Sequence, residues 1–226
     1  MYTDGMRTAP TREERKARTR ADLIVAADRL FTSNGFHATS LETVADEAGY
    51  TKGAVYSNFA SKEDVFFAVY ERRAERGIAE YEREIAAAAA SGGTGFEALT
   101  LAAARRRGHD DGWLAVFFEF WAHVVRRPAL RARFAEIHTR AQEPLVAALE
   151  RHAEDHNYEL PDDPRKLMVA LYAMQLGLSL ERLILPELVD ERLGLRMGRL
   201  FLEDLARAGP QEGDTDDNHV STKAAG

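Results

Sequence analysis

The segment that most restricts this fold is ATSLETVADEAGYTKGAVYSNFASKED, residues 38–64. It holds two capped runs on either side of Gly49, each too short to stand alone. Thr39 or Ser40 can cap a helix over 40–47 whose inner face is Leu41, Val44 and Ala45, and Thr39 and Glu42 have capping-box spacing. After the turn Ala48-Gly49-Tyr50, Thr51 caps a second run over 52–57, and Ser61, with Asp64 three residues on, caps a third start. Helices of two turns are marginal in water. Gly53 inside the second costs about 1 kcal/mol relative to alanine. Tertiary support must therefore come from outside, and the preceding segment offers it: Leu23, Ala27, Leu30 and Phe31 form one stripe over 18–34, closed by Ser33-Asn34-Gly35.

Two short helices joined by a glycine turn and backed by a first helix make a helix-turn-helix. In such a unit the second short helix packs through a few apolar side chains, here Val55 and Phe59, and offers the rest to a DNA major groove. Gly53 and Ala54 let the backbone approach the bases. Thr51, Lys52, Tyr56 and Ser57 point outward as donors. Contacts divide into those that fix register on phosphates and those that read bases. Thr39 or Ser40, Tyr56 and Lys62 suit phosphates, and the helix start at Ser61-Lys62 offers free amides and a positive dipole end. Lys52 can donate to guanine O6 and N7, and Ala54 can meet a thymine methyl.

The rest of the chain also reads as helical. Ala, Leu, Glu and Arg dominate, and apolar residues recur at intervals of three and four. A long fourth helix runs from Ser61 to about 90 and ends in AAAAASGGTG. Five more follow, over 95–107, 110–126, 129–156, 162–185 and 190–208, punctuated by Pro128, PDDP at 161–164 and Pro186. The expected architecture is all-α with about nine helices: a flexible basic arm at 1–17, a three-helix head at 18–78 with its helix-turn-helix at 40–59, a larger body at 79–208, and a disordered polar tail at 209–226. No apolar run of about 18 residues predicts a membrane span, and the start lacks the apolar stretch of a signal peptide. The absence of cysteine fits a reducing cytoplasm.

Net charge is −7, which alone argues against a partner with a phosphate backbone. Its distribution reverses the argument. Residues 1–62 carry nine Lys and Arg against eight Asp and Glu, and the remainder 21 against 29. Six bases from Arg7 to Arg20 face only Glu13 and Glu14 within that stretch. A polyanion can dock at the N-terminal end and nowhere else so easily.

The stretch ATSLETVADEAGYTKGAVYSNFASKEDVF resembles the helix-turn-helix of the TetR (tetracycline-repressor-like) family. The residues that carry the likeness are Ser40, Val44-Ala45, Ala48-Gly49-Tyr50-Thr51, Gly53, Tyr56, Phe59 and Lys62. It covers residues 18–70. Asn58 departs from the His or Tyr common at its position, and acidic Glu42 stands on the expected DNA side, where it caps Thr39 or reads a cytosine amine. The resemblance implies a homodimer whose two heads enter successive major grooves of a palindromic operator, with the basic arm along the backbone or a minor groove. It also implies a small-molecule effector in each body, and pairing of the last two helices with their symmetry mates in a four-helix bundle. The function implied is a ligand-responsive transcriptional regulator, most simply a repressor.

In the body, GWLAVFFEFWAHVV puts Trp113, Phe117, Phe120, Trp121 and Val124 on one arc, extended by Phe118 and Val125. Such an arc is either a central core helix or the wall of a cavity with a few placed polar groups. Trp113, Phe117, Phe120, Trp121, His123, Tyr172 and Gln175 are the candidate ligand contacts, with Glu119, His138, Met168 and Met174 near them. Their chemistry suits an apolar or aromatic effector, with a cationic one also compatible. Ala170, Ala173 and Gly177, then Gly194 and Gly198, form small-residue stripes on the last two helices. They serve either close packing within the body or the dimer contact, with Leu178, Leu185, Leu193, Leu200 and Phe201 beside them.

Two other readings fit the composition less well. An enzyme lacks support: there is no cysteine, GxSxG or HExxH, and SGGTG at 91–95 follows no strand. His152 and His156 in HAEDH have a metal-binding interval but sit on a polar helix end. No cofactor or metal is expected. An architectural DNA-binding protein without an effector would be small and basic overall, unlike this acidic, aromatic-rich body.

Overall fold

A computed structural model describes residues 11–90, 110–155 and 157–207. Arg7, the helix expected over 95–107, His156 and the C-terminal tail lie outside the described residues. Eight helices make up the described chain, with no strand among them. They are α1 (Arg12–Asn34), α2 (Leu41–Ala48), α3 (Lys52–Asn58), α4 (Lys62–Ala90), α5 (Asp111–Val125), α6 (Pro128–Asp155), α7 (Pro164–Ile184) and α8 (Glu191–Arg207).

Local chemistry sets most boundaries. The first helix starts at Arg12, six residues before the expected 18, because Thr11 and Glu14 close a capping box. Arg12, Arg15 and Lys16 thus lie on a helix and not on a flexible arm. Ser40, rather than Thr39, caps α2 and accepts the Thr43 amide at 3.0 Å. Gly49 ends α2 in the left-handed region at φ +74°, and Thr51 caps α3 through the Ala54 amide. At the start of α4, Ser61 accepts the Asp64 amide while Asp64 accepts the Ser61 amide, both at 3.1 Å. Asp163 and Pro164 begin α7 in the usual N-terminal pattern.

The head is not a separate unit hung on α4. One apolar core runs from Leu23, Ala27 and Phe31 in α1, through Val44 and Val55, to Phe66 in α4, Phe120 in α5 and Phe134 in α6. The rings of Phe66 and Phe120 stack at 3.8 Å between centroids, and Phe36 meets Phe120 edge-on at 5.0 Å. A smaller core further along holds Tyr81, Val146, Leu149, Met168 and Leu171.

By length and composition α7 reaches the threshold for crossing a membrane, which the sequence reading did not expect. Its apolar content serves two faces. Met168, Leu171 and Leu176 are buried, while Val169, Ala170, Ala173 and Ile184 lie on the outside.

Candidate nucleic-acid interface and effector cavity

The front of the head is formed by α3 and the start of α2. Val55 and Phe59 are buried, and Thr51, Lys52, Gly53, Tyr56 and Ser57 are exposed beside the half-buried Ser40 and Ala54. Tyr56 is 49% exposed despite its ring. A Cβ added to Gly53 would meet only the Thr51 hydroxyl, at 3.8 Å, so nothing inside the chain requires glycine there. Lys52 forms an ion pair with Glu42, which settles that residue's contact in favour of Lys52 and against Thr39. Asn58 turns back to donate to the Ala54 carbonyl at 2.8 Å. Arg20 lies over the Phe59 ring at 4.3 Å, bracing α3 from behind.

Two residues assigned to phosphates are committed elsewhere. Thr39 is 2% exposed, and its hydroxyl lies 2.8 Å from the Gly35 carbonyl and 3.2 Å from that of Leu30, so it ties the turn to the end of α1. Lys62 donates to the carbonyls of Phe36, Thr39 and His37 at 2.8, 3.0 and 3.2 Å, and its ammonium sits 4.5 Å over the Phe36 ring. Three carbonyls of the turn between α1 and α2 converge on one cation. The amides of Ala60 and Ser61 are likewise already filled by the Asp64 carboxylate, which also pairs with Arg133. These positions shape the turn and do not offer free donors to DNA.

Behind the head, a cavity of about 430 Å³ lies among α4, α5, α6 and α7. Trp113, Phe117 and Tyr172 line it; Phe120, Trp121, His123 and Gln175 do not. Phe120 is fully buried in the aromatic core, and Trp121 packs against Phe117 and Phe118. His123 bonds Glu63 at 3.0 Å, and Gln175 donates to the Gly194 carbonyl at 3.0 Å. Sequence reasoning missed the α4 wall, which supplies Tyr70, Arg73, Ala74, Ile78 and Tyr81, and the α6 wall with Gln142 and Leu145. Tyr70, Arg73, Ala74 and Tyr81 share one helical face at spacings of three, four and seven, a signal that was present but drowned by the aromatic run of α5.

His138 sits just behind the cavity wall, between Tyr70 at 2.7 Å and Gln142 at 2.6 Å. With the Gln142 amide donating to Nε2, the neutral ring carries its proton on Nδ1 and donates it to the tyrosine oxygen. Burial pushes the imidazole pKa down, which keeps this chain of three neutral groups intact.

Two polar links join the helices that wall the cavity to the head. Arg73 donates to Asp28 of α1 at 2.6 Å, to Asp110 before α5 at 2.5 Å and to Thr32 at 3.2 Å, with its guanidinium 4.2 Å over Trp113. Glu119 of α5 accepts the backbone amides of Phe36 and His37 at 2.8 and 2.9 Å, one on each carboxylate oxygen. The fit is tight. Gly35 has φ +86°, and a Cβ there would come within 2.8 Å of Glu119 Oε2; a Cβ on Gly112 would come within 2.8 Å of the Thr32 carbonyl.

On the far side, Ala170, Ala173 and Gly177 of α7 are exposed, alongside Ile184 at 69% and Leu188 at 71%. The glycines of α8 behave differently. Gly194 faces Gln175 of α7, and Gly198 is buried within the same chain. The two small-residue stripes therefore split between the outer surface and the body's own packing.

Residues 23–69 match the family profile "Bacterial regulatory proteins, tetR family", and residues 94–207 match "BetI-type transcriptional repressor, C-terminal". The transcriptional activator FasR of Mycolicibacterium smegmatis is 36% identical over 56 residues, 25% of this chain and 26% of FasR. The transcriptional regulator UidR of Escherichia coli K12 is 28% identical over 145 residues, 64% of this chain and 70% of UidR. A solved SmeT–triclosan complex is 26% identical with a TM-score of 0.55, covering 87% of this chain and 93% of SmeT. SmeT is the repressor of the Stenotrophomonas maltophilia multidrug efflux pump SmeDEF. The chain spans 26% to 35% of the length of the first curated relatives it matches.

Proposed function

The chain belongs to the tetR family of bacterial regulatory proteins, and on that premise we propose that it is a homodimeric repressor, released from a palindromic operator when a small apolar or aromatic molecule fills the cavity. The observation that carries this reading is the double duty of α5. Its first half walls the cavity with Trp113, Leu114 and Phe117. Its second half grips the α1–α2 turn through Glu119 and reaches Glu63 of α4 through His123. Arg73 adds a second connection, because the guanidinium that covers Trp113 also holds Asp28 of α1. A molecule that displaces Trp113 or Phe117 therefore shifts the groups that hold the head. Packed elements of this kind switch between discrete arrangements instead of yielding gradually.

The BetI-type repressor match over the body supports repression. The triclosan bound by SmeT supports an aromatic effector. The outward face of α7, with Val169, Ala170, Ala173, Gly177 and Ile184, supports a twofold contact in which the same patch meets itself. In the DNA-bound dimer the two heads then stand about one helical turn, roughly 34–36 Å, apart. The test is a selection of genomic fragments with the full chain, followed by challenge of the bound fragment with a small-molecule panel. One palindromic site, bound by a dimer and released by one chemical class, is the expected result. A site that no compound releases removes the effector from the reading, and the absence of any preferred site removes the regulator.

A further inference from the structure

A carboxylate on a DNA-facing surface is an electrostatic cost, since phosphates dominate the potential there. Glu42 sits in the first turn of α2, between Ser40 and Thr43 on the front of the head, and pairs with Lys52, the first residue of α3. The two side chains remain 46% and 61% exposed, so the pair is a weak staple for the fold. Contact with Lys52 lowers the carboxyl pKa, and contact with Glu42 raises that of the ammonium, which keeps both charged through the neutral range. The head thus presents a cation and an anion side by side, at hydrogen-bonding separation, next to the exposed Gly53.

One feature of DNA has the matching pattern. In the major groove a G·C pair shows the guanine acceptors N7 and O6 beside the cytosine donor N4, whereas an A·T pair shows a thymine methyl and the O4 acceptor on its pyrimidine side. We propose that Glu42 and Lys52 read a single G·C pair as one unit, Lys52 donating to guanine O6 and N7 while Glu42 accepts from cytosine N4. The inference rests on the DNA-binding reading above and adds to it a specificity-determining acid. Glu42 acts mainly by exclusion: on an A·T pair in the same orientation its carboxylate faces the thymine O4 and methyl in place of a donor, stays beside the phosphates uncompensated and keeps hold of Lys52. It lowers affinity for DNA without a donor at that place and so raises the ratio that matters for finding a site.

The experiment is a selection from a randomised duplex pool with the full-length wild type, Glu42→Ala, Lys52→Ala and the double variant. Affinities are then measured on the wild-type consensus and on the same duplex with one G·C pair per half-site changed to A·T. The wild type should lose tenfold or more on that change, and each single variant less than threefold, at the same position. The double variant should lose no more than the singles. Glu42→Ala should also bind a scrambled duplex several-fold more tightly than wild type. Glu42→Gln, which keeps the size and gains an amide donor, should shift that position toward T·A, with adenine where the cytosine stood, because Gln pairs with adenine N6 and N7. If Glu42→Ala keeps the wild-type preference at every position, or relaxes a position other than the one Lys52→Ala relaxes, the inference is overturned while the regulator stands. If the wild type enriches no site, both fall.

Discussion

Around residues 35–39, at the rear of the head, polar groups are matched to partners fixed by the body and by α4; on the front, around α2 and α3, the polar groups are exposed and weakly paired. Lys52 and Lys62 make the contrast sharp. Lys62 has its donors on three carbonyls of the turn, and Glu119 holds two amides of the same turn from the other side. Lys52 meets an exposed carboxylate and lies over the exposed Tyr56 ring at 5.7 Å from its centroid. The function proposed above calls for this division: in it the rear transmits a displacement of α5 without slack, and the front exchanges its partners for bases and phosphates at little cost.

The largest effect should come from the rear. Glu119→Ala strips both charge-assisted bonds and leaves the part-buried Phe36 amide and the exposed His37 amide without that acceptor, at a cost of about 2–4 kcal/mol. Urea unfolding would show it as a lower midpoint at unchanged slope. Glu119→Gln, which retains one acceptor oxygen, should lose about half as much. A full-sized loss in operator affinity with no loss of stability would instead place Glu119 on the DNA side and break the contrast.

Lys62→Ala comes next, at about 1–3 kcal/mol, since it removes one charged donor group from three carbonyls. Lys62→Met separates the causes: it keeps the stem over Phe36 and removes only the ammonium, so a similar loss in both variants assigns the effect to hydrogen bonding. Operator binding by the folded fraction should then fall modestly in both. A stable Lys62→Met protein with binding abolished would return this lysine to the phosphate contacts.

These two residues also show where the sequence stops being legible. Ser40, Thr51 and Ser61 could be recognised as caps because a cap and its amide lie three residues apart, and the glycine at 49 announces its own turn. Thr39 and Ser40 are adjacent and equally able to cap; only the packing of Thr39 under α1 separates them. The role of Lys62 depends on carbonyls 23 to 26 residues away, and that of Glu119 on amides more than 80 residues away. No helical periodicity carries that information. The aromatic run of α5 was conspicuous, yet one wheel cannot tell which arc faces α4 across a core and which faces α7 across a cavity. For the same reason the small residues of α7 and α8 looked alike, although Gly177 is exposed and Gly198 buried.

The cavity wall offers a pH test of whether the body is as tightly determined as the rear of the head. Burial holds the His138 pKa below its ordinary value, so the unfolded chain binds a proton that the folded chain refuses. Stability should be unaffected above about pH 6.5 and should decline as pH falls from there toward the lowered folded value. His138→Gln should remove that decline between pH 6.5 and 5.5, measured as the difference in unfolding free energy from wild type. An equal pH dependence in both proteins would show that the Tyr70–His138–Gln142 chain does not couple protonation to folding.

On the front, the smallest substitution has effects of opposite sign. Gly53 sits inside α3, where alanine is preferred by roughly 0.5–1 kcal/mol. A new Cβ meets only Thr51 Oγ1 at 3.8 Å, so Gly53→Ala should stabilise the protein by up to that amount. Its affinity for the selected operator should fall more than its affinity for a scrambled duplex, because the methyl stands between the backbone and the bases but not between the protein and distant phosphates. Anisotropy titrations on the two duplexes, beside a urea curve, give both signs from one preparation. A variant that gains stability and keeps its full operator preference would mean that α3 does not approach the bases at this point. The glycine would then need a cause other than DNA, and the surroundings of Gly53 in the folded chain supply none.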